Sequence, residues 1–224
     1  MVSGLQTPPP PAGATGGHST VNSFAELSDA ALVRRCQETL PYDARPFEAL
    51  VKRYREQVFA IAYRMMGEAQ EAEDQTQEVF IKVYHSIKRF RGEAAFSTWI
   101  YRIAVNTCLD ALSKQQRRPK RVEADIAEAE EAKYPIRIAE RAEPTPEQAA
   151  LRRELIECIR DTMMALRDKE RLILTLRDVQ GMEYRQIADV LTVRIGAVKM
   201  RIHRARLAFQ QAFARICREH LPIS

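Results

Sequence analysis

Helix-period patterning runs almost unbroken through residues 24–112, interrupted only at residues 41–46, Gly67 and Gly92. No alternating strand run and no NG or DG hairpin signal falls within it. Such a segment can bury its apolar stripes only helix against helix, so a compact helical domain is expected. Residues 114–143 change character. A basic cluster, KQQRRPKR, gives way to the acidic EADIAEAEEA and then to a mixed stretch with no clear apolar face, which reads as a linker. A new helix is announced by TPEQ, where Thr145 can cap, Pro146 suits the first helical position and Gln148 can reach back. The expected fold is therefore all-α: two small helical domains joined by a flexible linker, with boundaries at 1–23 (tail), 24–113, 114–144 (linker) and 145–224. The tail, with four consecutive prolines at 8–11, holds too little apolar surface to order itself, and a start site further downstream is an alternative.

Several function classes are disfavoured. No apolar run approaches the roughly 18 residues of a spanning helix and no signal-peptide layout opens the chain, so no membrane insertion and a cytoplasmic location are expected. Cys36, Cys108, Cys158 and Cys217 are widely spaced and form no ligand set with the histidines, so neither a disulfide framework nor a metal site is expected. Without a Gly-rich phosphate loop or a Ser/His/Asp arrangement, no enzyme and no cofactor are expected. The net charge of +5 hints weakly at a polyanionic partner. The distribution of charge says more.

Three surfaces stand out. On the helix after the turn RFRGEAAF, the circumference is apolar except for one line through Trp99, Arg102, Asn106, Asp110 and Ser113. An indole, a guanidinium and an amide together offer a stacking plane, a phosphate contact and a base-edge reader; a core tryptophan beside solvated polar residues is the plainer reading. Upstream, five acids and no base lie within residues 68–78. There Asp74, Gln77, Glu78, Ile81 and His85 share the face opposite Val79, Phe80, Val83, Tyr84 and Ile87. DNA would be repelled, and the outward Ile81 suits protein docking, against the alternative of a solvated acidic helix. In the second domain, EYRQIADVLTVRIGAVKMRIHRARLAF has helix-turn-helix layout. Ile187, Ala188 and Leu191 face inward, Val193 plugs the turn, and a second helix from about Ile195 buries Val198, Ile202, Ala205 and Phe209. Gly196, Met200, His203 and Leu207 then point outward, flanked by Lys199 and Arg204. Residues 195–218 hold six Lys or Arg and no acid, a one-sign run that favours a phosphate partner.

With AEDQTQEVF followed by FRGEAAFSTWIYRIAVN, and LRDKERLILTLRDVQGMEYRQIADVL preceding VKMRIHRAR, the chain resembles bacterial RNA polymerase sigma factors of the extracytoplasmic-function (ECF) group. The resemblance implies an initiation factor that binds core polymerase, recognises the -10 and -35 promoter elements and assists melting. It assigns docking on the clamp of the largest subunit to Asp74, Gln77, Glu78 and Ile81. It assigns -10 contacts to Phe96, Trp99, Tyr101, Arg102 and Asn106, with Arg102 on the backbone and Asn106 and the preceding loop choosing the base. Trp99 is either a wedge beside the melted strand or a packing post. It assigns -35 contacts to Arg194, Lys199, Met200, His203 and Arg204, and implies an anti-sigma factor as a further partner. A linker of about 30 residues can reach roughly 100 Å, enough for elements about 85 Å apart at roughly 25 base pairs. The chain departs from the family at Glu183, Thr192, Arg194, Ala197 and Met200, where Ser, Gly, Pro, Thr and Ser are usual. The expected result is a lost cap worth about 1 kcal/mol and an altered upstream sequence. A free-standing helix-turn-helix regulator, acting without polymerase, is the competing reading.

Overall fold

Local capping explains where each helix begins and ends. The computed structural model describes residues 24–117 and 145–218. Helix α1 (Asp29–Thr39) starts at Ser28, whose hydroxyl accepts from the Ala31 N–H at 3.3 Å. Helix α2 (Arg45–Met66) carries Pro46 in its first turn, where a missing N–H costs nothing, and stops at Gly67, which takes φ +85°. Helix α3 (Ala69–Ser86) continues through a 3-10 turn (Ile87–Arg89) towards α4 (Phe96–Arg117). Leu32, Leu50, Val58, Val79, Val83, Ile87, Ile100 and Ala104 fill the centre of this four-helix unit. Burial of this kind contributes about 1.5–3 kcal/mol for each large aliphatic side chain.

The second unit begins as its sequence announces. Thr145 accepts from the Gln148 N–H at 3.3 Å, while Gln148 Oε1 accepts from the Thr145 N–H at 3.1 Å, opening α5 (Pro146–Ala165). Helix α6 (Asp168–Leu174) runs into a π turn (Thr175–Val179), followed by α7 (Tyr184–Leu191) and α8 (Ile195–Ile216). Every regular element among the described residues is helical, as the patterning predicts.

Two expectations need correction. Helix α4 continues to Arg117, so the basic cluster opens on a helix and the change of charge begins before the helix ends. The wide cysteine spacing suggests no disulfide, yet Cys158 and Cys217 are joined, with Cα atoms 5.8 Å apart. The antiparallel run of α5 against α8 brings together residues that sequence distance separates. The expected tail and most of the expected linker lie outside the described residues.

The patterning carries no sign that the two units share a core. Met65, Val105, Cys108 and Leu112 of the first unit pack in one apolar cluster with Met163, Leu172, Ile173 and Ile187 of the second. Arg171, only 5% exposed, reaches across to donate to the Met65 carbonyl at 2.8 Å. Beside it, a Cβ at Gly67 would lie 2.7 Å from Met164 Cε. The left-handed turn is what asks for glycine there, since the flexible end of Met164 could move aside for a Cβ.

The turn between α7 and α8 contains Thr192 at φ 55°, a β-branched residue in the left-handed region. That conformation costs an L-residue roughly 1–2 kcal/mol, partly offset in a glycine variant by its freer unfolded chain. Thr192→Gly is expected to stabilise by about 0.5–1 kcal/mol and to raise the thermal midpoint by a few degrees. A lowered midpoint would show that the turn holds threonine without strain.

Candidate nucleic-acid and partner interfaces

The turn before α4 is held from a position that the motif reading did not include. Gln37 on α1 donates from Nε2 to the carbonyls of Ile87 and Phe90, at 3.0 and 2.9 Å. Those two bonds fix the end of the 3-10 turn, around which the cations Lys88, Arg89 and Arg91 are exposed. Phe90, Phe96 and Trp99 then form an aromatic cluster, with ring centroids 4.9 Å apart for Phe90–Trp99 and 5.6 Å for Phe96–Trp99. A side-chain amide bonded to two carbonyls has no periodic signature, which is why Gln37 is invisible in the sequence.

The five candidates on this face divide. Phe96 is 4% exposed and packs against Tyr54, Phe90 and Trp99, so it supports the loop from beneath and has no free ring face for a base. Trp99 is partly buried on the same cluster. Tyr101 is half-buried against Tyr54; burial, and then the charge of Asp29, push its phenol above the ordinary range, so it stands there as a neutral hydroxyl. Arg102 points at the second unit, donating from Nη2 to the Asp189 carbonyl at 2.6 Å, in the last turn of α7 where carbonyls lack intrahelical partners. Its Nε is buried without a protein partner. Asn106 is exposed, as are Asp110 and Ser113, so the polar line of α4 is real along its C-terminal half.

On α3 the face agrees with the periodicity: Asp74, Gln77, Glu78, Ile81 and His85 are exposed while Val79, Phe80 and Val83 are buried. Ile81, 51% exposed, borders a shallow groove of about 470 Å³ whose walls include Phe47, Val51, Phe80 and Tyr84. Burial, followed by the charges of Glu68 and Asp74, raises the Glu71 carboxyl above the usual carboxylate range. The acids therefore crowd one another, and a cationic partner would relieve that repulsion. Glu78 is partly compensated by Lys82 at 3.5 Å, and Glu73 by Arg55 at 2.8 Å. The groove's own lining is mainly apolar, with Glu73 paired to Arg55 at its wall, and Asp74 and Glu78 stand exposed on the same helix.

The helix-turn-helix forms as expected. Ile187, Ala188, Val198, Ile202 and Ala205 are buried and Phe209 is partly so. Arg194, Lys199, Met200, His203 and Arg204 are all exposed along one side of α8, Met200 at 53%. Arg206 is drawn away by Asp178 at 2.5 Å. Arg194 occupies the N-cap of α8 without a side-chain capping bond, and its carbonyl accepts from the Ala197 and Val198 N–H groups at 2.9 and 3.2 Å. At α7 the expected loss of the cap is incomplete, because Gln186 Oε1 accepts from the Glu183 N–H at 2.8 Å.

Both helical units match known families. Residues 50–118 match the family described as Sigma-70 region 2, and residues 156–209 match Sigma-70, region 4. The chain is 39% identical over 198 residues to the RNA polymerase sigma-H factor of Pseudomonas aeruginosa, covering 88% of this chain and 99% of that one. It is 37% identical over 183 residues to the ECF RNA polymerase sigma-E factor of Escherichia coli, covering 82% and 93%. Among solved structures, CnrH in complex with the cytosolic domain of CnrY shares the fold at a TM-score of 0.56 and 23% identity, covering 82% of this chain and 95% of that one. The sigma factor RpoE of Bartonella quintana, solved with the anti-sigma factor NepR, does so at 0.55 and 19%, covering 74% and 95%. With identity sustained across both helical units and the residues between them, the chain belongs to the ECF RNA polymerase sigma factors.

Proposed function

We propose that this sigma factor docks on the clamp of the polymerase largest subunit through the acidic, groove-bearing face of α3 and reads promoter DNA with the other two surfaces. Asp74, Gln77, Glu78 and Ile81 supply the docking face. The cationic turn before α4, with Trp99, Tyr101, Arg102 and Asn106, takes the -10 element, Phe96 serving as the floor of that turn. Arg194, Lys199, Met200, His203 and Arg204 take the -35 element in the major groove. The observation that carries this reading is the presence in one chain of an exposed acidic and apolar helix face and an exposed helix face of purely basic charge, two surfaces with opposite partners. An anti-sigma factor is the regulator that family membership brings with it, and work on polymerase places the chain in the cytoplasm.

The shared core adds a step to this reading. Arg102 is held by the Asp189 carbonyl and α4 is covered by the second unit. Promoter elements roughly 85 Å apart cannot be reached by two units packed together, so the units separate when polymerase seats them. In vitro transcription with core polymerase, with and without the protein, is the test. Promoter-specific transcripts appear only with the protein, and equal initiation by core alone would overturn the assignment. A free-standing regulator, by contrast, binds its site tightly without polymerase.

Met200 makes a narrower prediction. Its thioether side chain can only make apolar contact, for instance with a thymine methyl, so Met200→Ser is expected to shift preference among -35 variants more than total affinity. Losses of equal size on every variant would exclude Met200 from base reading.

A further inference from the structure

All four cysteines are buried, and they fall into two kinds by their partners. Cys36 and Cys108 are buried and unpaired, and burial pushes their thiols up to about 11 and about 12, so thiolate is scarce at either. Cys158, in the second half of α5, and Cys217, which closes α8, stand side by side across the antiparallel seam of the second unit, with Cα atoms 5.8 Å apart and a sequence separation of 59. Thr162 packs beside them: its hydroxyl donates to the Cys158 carbonyl at 2.7 Å and lies 3.7 Å from Cys217 Sγ. Further along the same seam, Ile159 and Met163 of α5 and Phe209 of α8 line a groove of about 410 Å³. The pair therefore fastens the end of the DNA-facing helix remote from its turn to the helix that enters the unit.

We propose that Cys158 and Cys217 are a redox site, interconverting between two thiols and one disulfide, and that the disulfide sets how firmly the helix-turn-helix unit holds together. The oxidant is hydrogen peroxide and the reductant a dithiol. Cys217 is fully buried but caps the C-terminus of α8, and helix ends are where local opening admits a small oxidant. As thiolate it attacks a peroxide oxygen; the O–O bond breaks, and the product is a sulfenic acid and, once protonated, one water. The Cys158 sulfur then attacks the sulfenic sulfur. An S–S bond forms, the S–O bond breaks, and the oxygen leaves as a second water with the Cys158 proton. Two electrons pass from the two sulfurs to the peroxide. A dithiol reverses the change by exchange, becoming a disulfide itself. Where thiol-reducing systems prevail, as around a working polymerase, such a bond is transient and sensing. The sensing role rests on the function proposed above, whereas the chemistry of the pair does not.

The full-length chain tests this without a variant. After treatment with hydrogen peroxide and then denaturation, two thiols per chain are alkylated, against all four after dithiothreitol, and peptide mapping finds the link between Cys158 and Cys217. Closing so long a loop restricts the unfolded chain, so the oxidised protein melts on the order of 10 °C higher. Cys158→Ala abolishes both the link and the shift, while Cys36→Ala keeps them. Four reactive thiols after peroxide, or a link through Cys36 or Cys108, would overturn the site. Coincident melts of the oxidised and reduced chains would overturn the claim that the bond controls the unit. Transcription that fails under both redox conditions while the thiol counts hold would strike only the polymerase reading.

Discussion

Promoter-specific transcription by core polymerase is expected to fall about 100-fold with the Asp74→Arg, Glu78→Arg double variant, equivalent to about 3 kcal/mol of lost docking. Both side chains are exposed on α3 beside the outward Ile81 and make few contacts within their own chain. Asp74 has only a long amide contact from Gln70 at 3.5 Å, and Glu78 an i,i+4 pair with Lys82 at 3.5 Å. Losing that exposed pair and setting the introduced guanidinium against Lys82 costs a few tenths of a kcal/mol. The thermal midpoint should therefore move little while activity collapses. Asp74→Arg also removes one of the two carboxylates that crowd Glu71, so any small change in stability from that position should be favourable. Co-purification with core polymerase supplies the second readout: the variant should no longer be retained, while the -35 DNA binding proposed for α8 should be unchanged. Retention of full activity, or activity lost in step with folding, would remove the acidic face from the docking assignment.

Most of the fold is legible because its determinants are local. Thr145 with Gln148, Pro46 near the start of α2 and Gly67 at its end each act within four residues, so their types reveal their positions. The helix-turn-helix face is legible for a related reason: Val198, Ile202 and Ala205 repeat at helical spacing, and the same spacing puts Lys199, Met200, His203 and Arg204 outside. What stays hidden depends on partners far along the chain. Phe96 looks like part of a reading stripe because it adjoins Trp99, but Tyr54 and Phe90 enclose it. Arg102 has the residue type of a phosphate contact, yet its partner is a backbone carbonyl 87 residues away. Gln37 and the Cys158–Cys217 pair are the same case. Hydropathy periodicity records which face of a helix avoids water, and it is silent on whether the neighbour is solvent-separated DNA or another unit of the same chain.

Arg171 is the strongest instance, and its replacement carries the second large effect. In DKERLIL it sits among charged residues and reads as surface, yet it is 5% exposed at the junction of the two units. Its Nη1 donates to Met65 O at 2.8 Å, at the end of α2 where the last carbonyls have no intrahelical donor, and its Nη2 to Asp168 Oδ1 at 2.9 Å. Burial lowers the guanidinium's hold on its proton, and the Asp168 charge works against that loss. Arg171→Met would refill the volume and escape the desolvation, but it leaves the Met65 carbonyl unpaired in an apolar seat, a penalty of about 1–3 kcal/mol. Asp168 is a quarter exposed and can rehydrate. The net expectation is a loss of roughly 2 kcal/mol, concentrated at the interface and not spread through either unit's own helices. The free protein should then expand in small-angle scattering and expose Arg102, while each unit keeps its helical circular dichroism. Arg171→Lys should fall between the two, because an ammonium on a flexible stem lacks the planar fork that serves both acceptors at once. An Arg171→Met protein as compact and as heat-resistant as the original would mean that Met65, Leu172 and their apolar neighbours hold the units together unaided.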